Sequence, residues 1–421
     1  MKVLTLSQYH WPEPASRMHL LGAGLVQLGH SVTSVTGFPN YPEGRIYCGY
    51  RQRLWLREKV DGIRLLRLPL YPDHSGSASK RAINYLSFAA SASLLGPLLC
   101  GTADVMWVYH PPLTVAIPAC SISSLRGIPF VYEIQDMWPE TLASTGMVRS
   151  PGVLKLISAL ARFVYRRASA INVISPGFKR NLVNKGVPES KIHVMPNWAD
   201  EEIYRPVPFD EALAAEHGLS GRFNVMFAGN LGPAQALDNV LNAAERLSGI
   251  AGIQFVLIGG GVDRTKLESA ARDRRLSNIR FIDRQPEAKM PEWFALANVL
   301  LVHLKRDPLF EITIPSKTIS YLACGRPILA SIAGDGAEVV QTAGAGLVCE
   351  PEDPEALAES VRRLYEMPPQ QRQAMGDAGR SAFLRHYTRK VLLRRYEDLF
   401  LSVSERNGKS LPPGNPKKAF E

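Results

Sequence analysis

Glu311-Ile-Thr-Ile-Pro-Ser-Lys-Thr-Ile-Ser-Tyr-Leu-Ala-Cys-Gly-Arg-Pro-Ile-Leu-Ala330 runs from loop to helix to turn to strand, and that order decides the fold class. Pro315 suits the first turn of a helix, where its missing N–H would have no partner anyway. Gly325 stops the helix, Pro327 keeps it from resuming, and Ile328–Ser331 follows as a short buried strand. A helix start of this kind presents open N–H groups and the positive end of the helix dipole, which suits a phosphate. Lys317 falls in that first turn. A cation there opposes the dipole, so an anionic ligand is the simplest compensation; a solvated lysine on a surface helix is the plainer alternative.

The same alternation extends in both directions. Upstream, strand patterns fall at Val3–Ser7, Ser31–Thr36, Ile63–Leu68, Val105–Tyr109, Phe130–Ile134 and Ala170–Ile174. A helical pattern over Leu20–Leu28 ends at Gly29-His-Ser. In the second half, strand patterns fall at Asn224–Ala228, Gln254–Ile258, Ile279–Ile282, Val299–His303, Ile328–Ser331 and Gly346–Cys349. Strands alternating with helices give parallel sheets in doubly wound α/β domains. Asn197–Val207, with Pro206 and Pro208, reads as a linker, which places a first domain at 1–200 and a second at 206–385. In such sheets ligands bind beyond the carboxyl ends of the strands, and two domains facing across a cleft would hold one between them.

The chain has 421 residues, 46% hydrophobic and 21% charged, ordinary for globular domains. Cysteines stand at 48, 100, 120, 324 and 349 with no Cys-x-x-Cys pair, so neither a zinc site nor a disulfide scaffold is indicated, and the usage fits a reducing cytosol. Met1–Ser7 reads as a first strand rather than a signal peptide.

The charge is lopsided. Residues 1–200 hold 21 Lys/Arg against 11 Asp/Glu, whereas residues 201–421 hold 28 of each, so the whole excess of +10 lies in the first half. Arg51, Arg53, Arg57, Lys59, Arg64 and Arg67 form a local run. Such a half attracts an anionic partner, a membrane surface or a polyphosphate. Nucleic acid fits least: no zinc finger or RNA-recognition motif is present, and the cations are not interleaved with an aromatic platform. Ala82–Gly101 is 20 residues without a formal charge, just after Lys80-Arg81. It reads as an internal helix of an α/β domain or as an interfacial one. Asn84, the serines and Gly96-Pro97 weigh against a spanning helix.

Candidate site residues follow strands. Gly229-Asn-Leu-Gly232 and Gly259-Gly-Gly261 each follow one, and glycine lets backbone approach a ligand closely. Neither is a dinucleotide fingerprint or a P-loop, and tight strand-to-helix turns need glycine for structural reasons alone. Asp136, just past Phe130–Ile134, can act as a base, bind hydroxyls or cap a helix. His110 follows another strand end.

Several stretches together make the chain similar to a known family. They are Ile128-Pro-Phe-Val-Tyr-Glu-Ile-Gln-Asp-Met-Trp-Pro139, Val173-Ile-Ser-Pro-Gly-Phe-Lys179, Val194-Met-Pro-Asn-Trp-Ala-Asp200, Val225-Met-Phe-Ala-Gly-Asn-Leu-Gly232, Phe255-Val-Leu-Ile-Gly-Gly-Gly261, Pro315-Ser-Lys317 with Tyr321-Leu-Ala-Cys-Gly-Arg-Pro327, and Gly336-Ala-Glu-Val-Val340. In this order and spacing they resemble the retaining GT-B glycosyltransferases of family 4. The similarity is greatest to the branch that adds fucose- or N-acetylfucosamine-type sugars to bacterial surface polysaccharides such as O-antigen, capsule or colanic acid. That branch shows Pro-Ser-Lys and a Gly-Asn-x-Gly turn followed by a glutamine, here Gln235. Many family members carry arginine where Asn230 stands and lysine where Gln235 stands; neutral amides keep hydrogen bonds but lose charge. Lys317, Lys305 or Arg306 would have to replace it. The family's paired glutamates are also altered: the second falls at Ser320, and Glu311 lies one residue out of register with the first.

The resemblance implies a GT-B fold of two Rossmann-like domains, with a last helix near 388–403 packing back on the first and a flexible tail over 407–421. It implies Gly229, Asn230, Gly232, Gln235, Ser316 and Lys317 at the donor diphosphate, and Glu311, Ser320, Glu338 and Gly260 at the donor sugar and nucleotide. Asp136 and His110 are the catalytic candidates. The donor would be a nucleotide sugar, UDP in preference to GDP, with no cofactor and no metal. The acceptor would be a saccharide on an undecaprenyl diphosphate-type lipid, met by a peripheral enzyme on the cytoplasmic face of the inner membrane. A non-hydrolysing nucleotide-sugar epimerase and a non-catalytic sugar-nucleotide-binding protein are the alternatives on the same fold. A nicotinamide-dependent dehydrogenase would need the full glycine fingerprint and a following acid, a pairing the sequence lacks.

Overall fold

The computed structural model describes residues 1–408 apart from 15, 76, 145, 146 and 149. Most of the tail expected over 407–421 therefore lies outside the described residues. The chain divides into two compact units. One holds 1–174, 178–195 and the chain from Leu393; the other holds 175–177 and 196–392. The stretch read as a linker counts with the second unit, where Ala199 bridges to Thr388.

The first unit is built on eight strands: β1 (Lys2–Leu6), β2 (Ser31–Gly37), β3 (Leu56–Val60), β4 (Ile63–Leu68), β5 (Val105–His110), β6 (Phe130–Ile134), β7 (Ala170–Val173) and β8 (Ile192–Val194). Their order across the sheet is β3-β4-β2-β1-β5-β6-β7-β8. Every pairing is parallel except β3 with β4. The central strands are mostly apolar and buried because helices cover both faces. Val105, Met106, Trp107 and Val108 are all fully buried. Each such aliphatic side chain contributes about 1.5–3 kcal/mol relative to exposure.

β3 and β8 are absent from the sequence reading. β8 is three residues long. β3 is Leu-Arg-Glu-Lys-Val, an edge strand whose Arg57 and Lys59 face solvent. Charges on an edge strand discourage further strand pairing, and they also hide the strand among basic residues. The run containing it is not uniformly available to a partner. Arg67 is fully buried. Its guanidinium pairs with Glu58 at 2.5 Å and donates to the carbonyls of Gly37 and Trp11.

The uncharged stretch lies in a helix at Ala78–Leu99. Its inner face carries Phe88, Ala89 and Ala92, all buried, and Asn84, whose amide donates to the Tyr71 carbonyl at 2.7 Å and accepts from Gln8 at 2.6 Å. That face is core, as an internal helix of an α/β domain requires. The helix at Arg389–Arg406 contributes to the first unit from Leu393 onward. Its Tyr396 hydroxyl donates to the buried Glu133 at 2.9 Å, and Glu397 meets His30 at 2.5 Å. Trp107 and Asn172 also donate to Glu133.

The second unit has six strands, all parallel: β9 (Phe223–Ala228), β10 (Ile253–Ile258), β11 (Ile279–Ile282), β12 (Val299–His303), β13 (Ile328–Ser331) and β14 (Gly346–Cys349). Their order is β11-β10-β9-β12-β13-β14. The chain leaves β9 toward β10 on one side and returns to β12 on the other, so the strand order reverses between β9 and β12. Ligands favour that switch point in open α/β sheets. All twelve strands read from the sequence are present, each end within one residue.

Candidate functional site

The stretch quoted first places a helix at Ser316–Ala323 between β12 and β13. Pro315 stands at its N-cap, one position earlier than expected, with φ −61 and no side-chain cap. The proline's fixed φ serves the cap as well as the first turn. The start of this helix, through Ser316, Lys317 and Ser320, lines a cavity of about 560 Å³ at the β9/β12 switch point. Small molecules and cofactors are bound in cavities of this size class.

Seven of the twelve candidate residues line that cavity: Gly229, Asn230, Gln235, Gly260, Ser316, Lys317 and Ser320. The Lys317 ammonium lies 3.6 Å over the Phe227 ring and donates to Gln235 Oε1 at 3.2 Å. It has no carboxylate partner among the described residues. Burial pushes its pKa down to about 7, because desolvation disfavours the charged form. This is a cation poised for an anion. The other two cations considered are occupied: Lys305 faces Asp307 at 3.5 Å and Arg306 meets Glu350 at 3.3 Å.

Two glycine turns hold the wall opposite. Gly229 N donates to the Ile258 carbonyl and Leu231 N to the Gly260 carbonyl, locking the β9 and β10 turns together. A Cβ at Gly229 would stand 3.0 Å from the Lys317 ammonium. A Cβ at Gly259 would stand 1.9 Å from the Gly229 carbonyl oxygen. So Gly259 serves loop packing, while Gly229 leaves room for the cation.

The remaining candidates stand elsewhere. Gly232 is buried behind Asn230, outside the lining. Glu311 closes a short helix at Pro308–Glu311 and is exposed. Glu338 is exposed in the first turn of the helix Asp335–Thr342, which has Gly334 at its N-cap and no side-chain cap. Both glutamates lie outside the cavity lining, since strand register fixes these loops more finely than sequence spacing.

Tyr204, Arg284, Gln285, Glu287, Met290 and Phe294 also line the cavity and were not foreseen. Arg284 is exposed just past β11 and has no ion-pair partner among the described residues. Its place after a strand end was the signal that could have found it. The Tyr204 hydroxyl donates to Glu287 Oε1 at 3.2 Å and also meets Ser320. Glu287 thus supplies a carboxylate beside the serine that replaces one.

His303, at the end of β12, is a second unforeseen residue. Its Nδ1 donates to the Gln235 carbonyl at 2.6 Å, and its Nε2 accepts from the Asn239 amide at 2.9 Å. Burial holds its pKa down at about 4, so the ring is neutral and anchors the turn that carries Gln235. His303→Leu leaves two buried polar groups unpaired, at about 1–3 kcal/mol each. Affinity for a ligand held against the Gln235 turn should fall by about tenfold, on the scale of one lost hydrogen bond, read by calorimetry. The unfolded ring takes up a proton near pH 6.5 and the folded one only near 4, so the parent loses stability as pH falls through that window. Thermal melts of His303→Leu should show a shallower loss there; an identical slope and affinity would remove the anchoring role.

In the first unit, His110 ends β5 and Asp136 follows β6, on adjacent strands paired His110 to Ile134. His110 is 2% exposed, and neither ring nitrogen has a partner among the described residues. Its ring lies edge-on to Trp138 at 5.2 Å. Burial lowers its pKa to about 3, so it is a neutral hydrogen-bonding group. Asp136 is partly buried, its pKa raised by desolvation. No described N–H caps onto its carboxylate, which leaves it open to ligand hydroxyls.

Residues 14–198 match the family described as Glycosyl transferase 4-like domain, and residues 222–367 match Glycosyl transferases group 1. The chain is 28% identical over 357 residues to the "Putative colanic acid biosynthesis glycosyl transferase WcaI" of Escherichia coli, covering 82% of this chain and 86% of that one. It is 26% identical over 275 residues to the "Probable glycosyltransferase WbjE" of Pseudomonas aeruginosa, covering 64% and 67%. Among solved structures, HepE of Anabaena in complex with UDP superposes with a TM-score of 0.72 at 14% identity, covering 96% of this chain and 100% of that one.

Proposed function

We infer that this chain, which belongs to the GT-B glycosyltransferases of group 1, moves a sugar from a nucleotide donor to a lipid-linked saccharide during assembly of a bacterial surface polysaccharide, with retention at the anomeric carbon. The relative named for colanic acid biosynthesis supports the pathway class. One observation carries the chemistry: a desolvated lysine without a carboxylate partner, at an uncapped helix start, in a cavity closed by two glycine turns. The leaving diphosphate gains negative charge in the transition state. Preorganised N–H donors and an ammonium aimed at it lower the barrier without reorganisation.

Lys317, the first N–H groups of the Ser316–Ala323 helix and the Gly229–Gly232 turn hold the diphosphate. Asn230 and Gln235 orient it by hydrogen bonds. Arg284 adds the charge that the two amides lack, so the protein's own cations carry the neutralisation and no metal is needed. Glu287, steadied by Tyr204, binds ribose hydroxyls beside Ser320. In the first unit Asp136 and the neutral His110 receive acceptor hydroxyls, and the departing phosphate itself takes the acceptor proton. UDP is the first nucleotide to test and a fucose-type sugar the first glycosyl group. The enzyme works on the cytoplasmic face of the inner membrane.

The test is incubation with UDP-, GDP- and dTDP-sugars and lipid extract as acceptor. One nucleotide should give lipid-extractable labelled product. Absence of turnover with every donor would overturn the enzyme reading, and donor conversion without acceptor would favour an epimerase. Glu287→Gln should raise KM for the donor about 5–30-fold, on the scale of about 1–2 kcal/mol for a buried or charged hydrogen bond, with kcat unchanged because ribose contacts are the same in ground and transition states. An unchanged KM would free Glu287 of that role.

A further inference from the structure

We propose that the outward face of the Ala78–Leu99 helix, together with the basic groove at its C-terminal end, is the surface by which the first unit docks on an anionic phospholipid bilayer. It rests on the reading above in that the acceptor there is lipid-linked, and it names the face of the first unit that would lie against the bilayer.

The helix has two unlike faces. Opposite the core side chains stand Ile83, Leu86, Leu94 and Leu98, exposed by 50, 53, 72 and 78%, with exposed Ala90 between them. Their spacing of three or four residues makes one continuous stripe along the helix. The stripe contains no charge. Beside it, the helix Ala116–Arg126 adds Leu125 at 70% exposure. The two helices are held together by Ser121 Oγ donating to the Ser93 carbonyl at 2.9 Å. A stripe of large aliphatic side chains left bare in this way marks an interaction surface.

Charge identifies what covers it. A groove of about 650 Å³ opens where the helix ends at Leu99-Cys-Gly101, lined by Lys2, Arg57, Lys59 and Arg64. Arg57 donates to the Leu99 carbonyl at 3.1 Å, Arg64 to Ser31 Oγ at 2.6 Å and Lys2 to Thr102 Oγ1 at 3.2 Å. These acceptors are all neutral, and none of the four cations joins an ion pair among the described residues. The one carboxylate in the lining, Glu58, is taken by Arg67. Four cations outside any described ion pair, beside a bare aliphatic stripe, match a surface of phosphate headgroups over acyl chains. Another protein's apolar patch would not call for the positive groove. The helix runs from the carboxyl end of β4 to the amino end of β5. Lys80 and Arg81 at its start therefore lie at the strand end that carries His110, and the groove lies at the other.

The experiment uses the full chain and sedimentation with vesicles of phosphatidylglycerol and phosphatidylethanolamine. The parent should sediment at low salt and only weakly with pure phosphatidylcholine. Binding should weaken but persist in about 1 M NaCl, where the Debye length is about 3 Å. Leu94→Glu/Leu98→Glu should lose at least tenfold in vesicle affinity at any salt. Lys59→Gln/Arg64→Gln should lose a similar factor at low salt only. All these side chains are exposed, and unchanged melts and nucleotide binding confirm folding. Parent protein that ignores anionic vesicles, or variants that bind like the parent, would overturn the proposal. So would a dimer that the leucine variants split without any vesicle binding, which would make the stripe a self-interface. Sedimentation owes nothing to turnover, so failure of the transferase reading would show separately in the donor assay.

Discussion

Lys317→Ala should lower kcat/KM for the nucleotide sugar by about 30- to 1000-fold, equivalent to about 2–4 kcal/mol of transition-state stabilisation, the scale for removing a preorganised donor at a developing anion. The ammonium has no carboxylate to answer to, so the variant loses a ligand contact rather than a structural ion pair. Lys317→Met keeps most of the packing on Phe227 and should show the same loss with a melting temperature close to the parent's. A pH effect accompanies it. Burial sets the free pKa near 7, and a bound diphosphate favours the protonated form, so binding takes up a proton once the free site has lost it. Donor affinity should therefore fall as pH rises above about 7, by at most tenfold per unit, and Lys317→Met should be flat over the same range. Calorimetry in buffers of different ionisation enthalpy reads the proton directly. Turnover unchanged in Lys317→Ala, or a parent affinity indifferent to pH between 6.5 and 8.5, a window set around the free pKa of about 7, would refute the role.

Gly259→Ala should be a severely damaging single-methyl change in the second unit. Gly259 has φ +144, a region nearly closed to residues with a Cβ, and the new carbon would meet the Gly229 oxygen at 1.9 Å. The backbone conformation alone costs about 1–3 kcal/mol, and the overlap must be relieved by parting the two turns. A fall of about 5–10 °C in melting temperature follows from about 2–4 °C per kcal/mol for a unit of this size. Nucleotide-induced stabilisation should vanish with it, because the Gly229 turn would no longer face Lys317. Gly260→Ala is the control: a Cβ there meets nothing within 4 Å. It should melt like the parent and change only ligand binding, since Gly260 lines the cavity. A parent-like melt for Gly259→Ala would show that the two turns can part freely.

The chain's own pattern determined the two parallel sheets. Strands buried on both faces are mostly apolar, and the turns after them favour glycine or proline, so Phe255–Ile258 followed by glycines is readable without any partner. Lys317 was legible for the same local reason: a helix start announced by Pro315 puts a cation where the dipole disfavours one. The Gly229 turn was legible as a turn, but its service to the Lys317 ammonium was not.

What the tertiary structure alone decided depends on contacts between residues distant in sequence. Arg67 read as one more surface cation, yet it is buried and bonded to Glu58, Gly37 and Trp11. β3 read as a basic run because an edge strand needs no apolar alternation, only a neighbour to pair with. Tyr204, Arg284, Glu287 and His303 carry no motif; they reach the cavity or its turn because parallel strands align their carboxyl ends. The helix at Ala78–Leu99 is the clearest instance. Sequence showed that it carries no charge from Ala82 onward, but only packing could assign Phe88 and Asn84 to the core and leave Leu94 and Leu98 bare. Hydrophobicity is a property of each residue, whereas burial is a property of the neighbours that the fold brings.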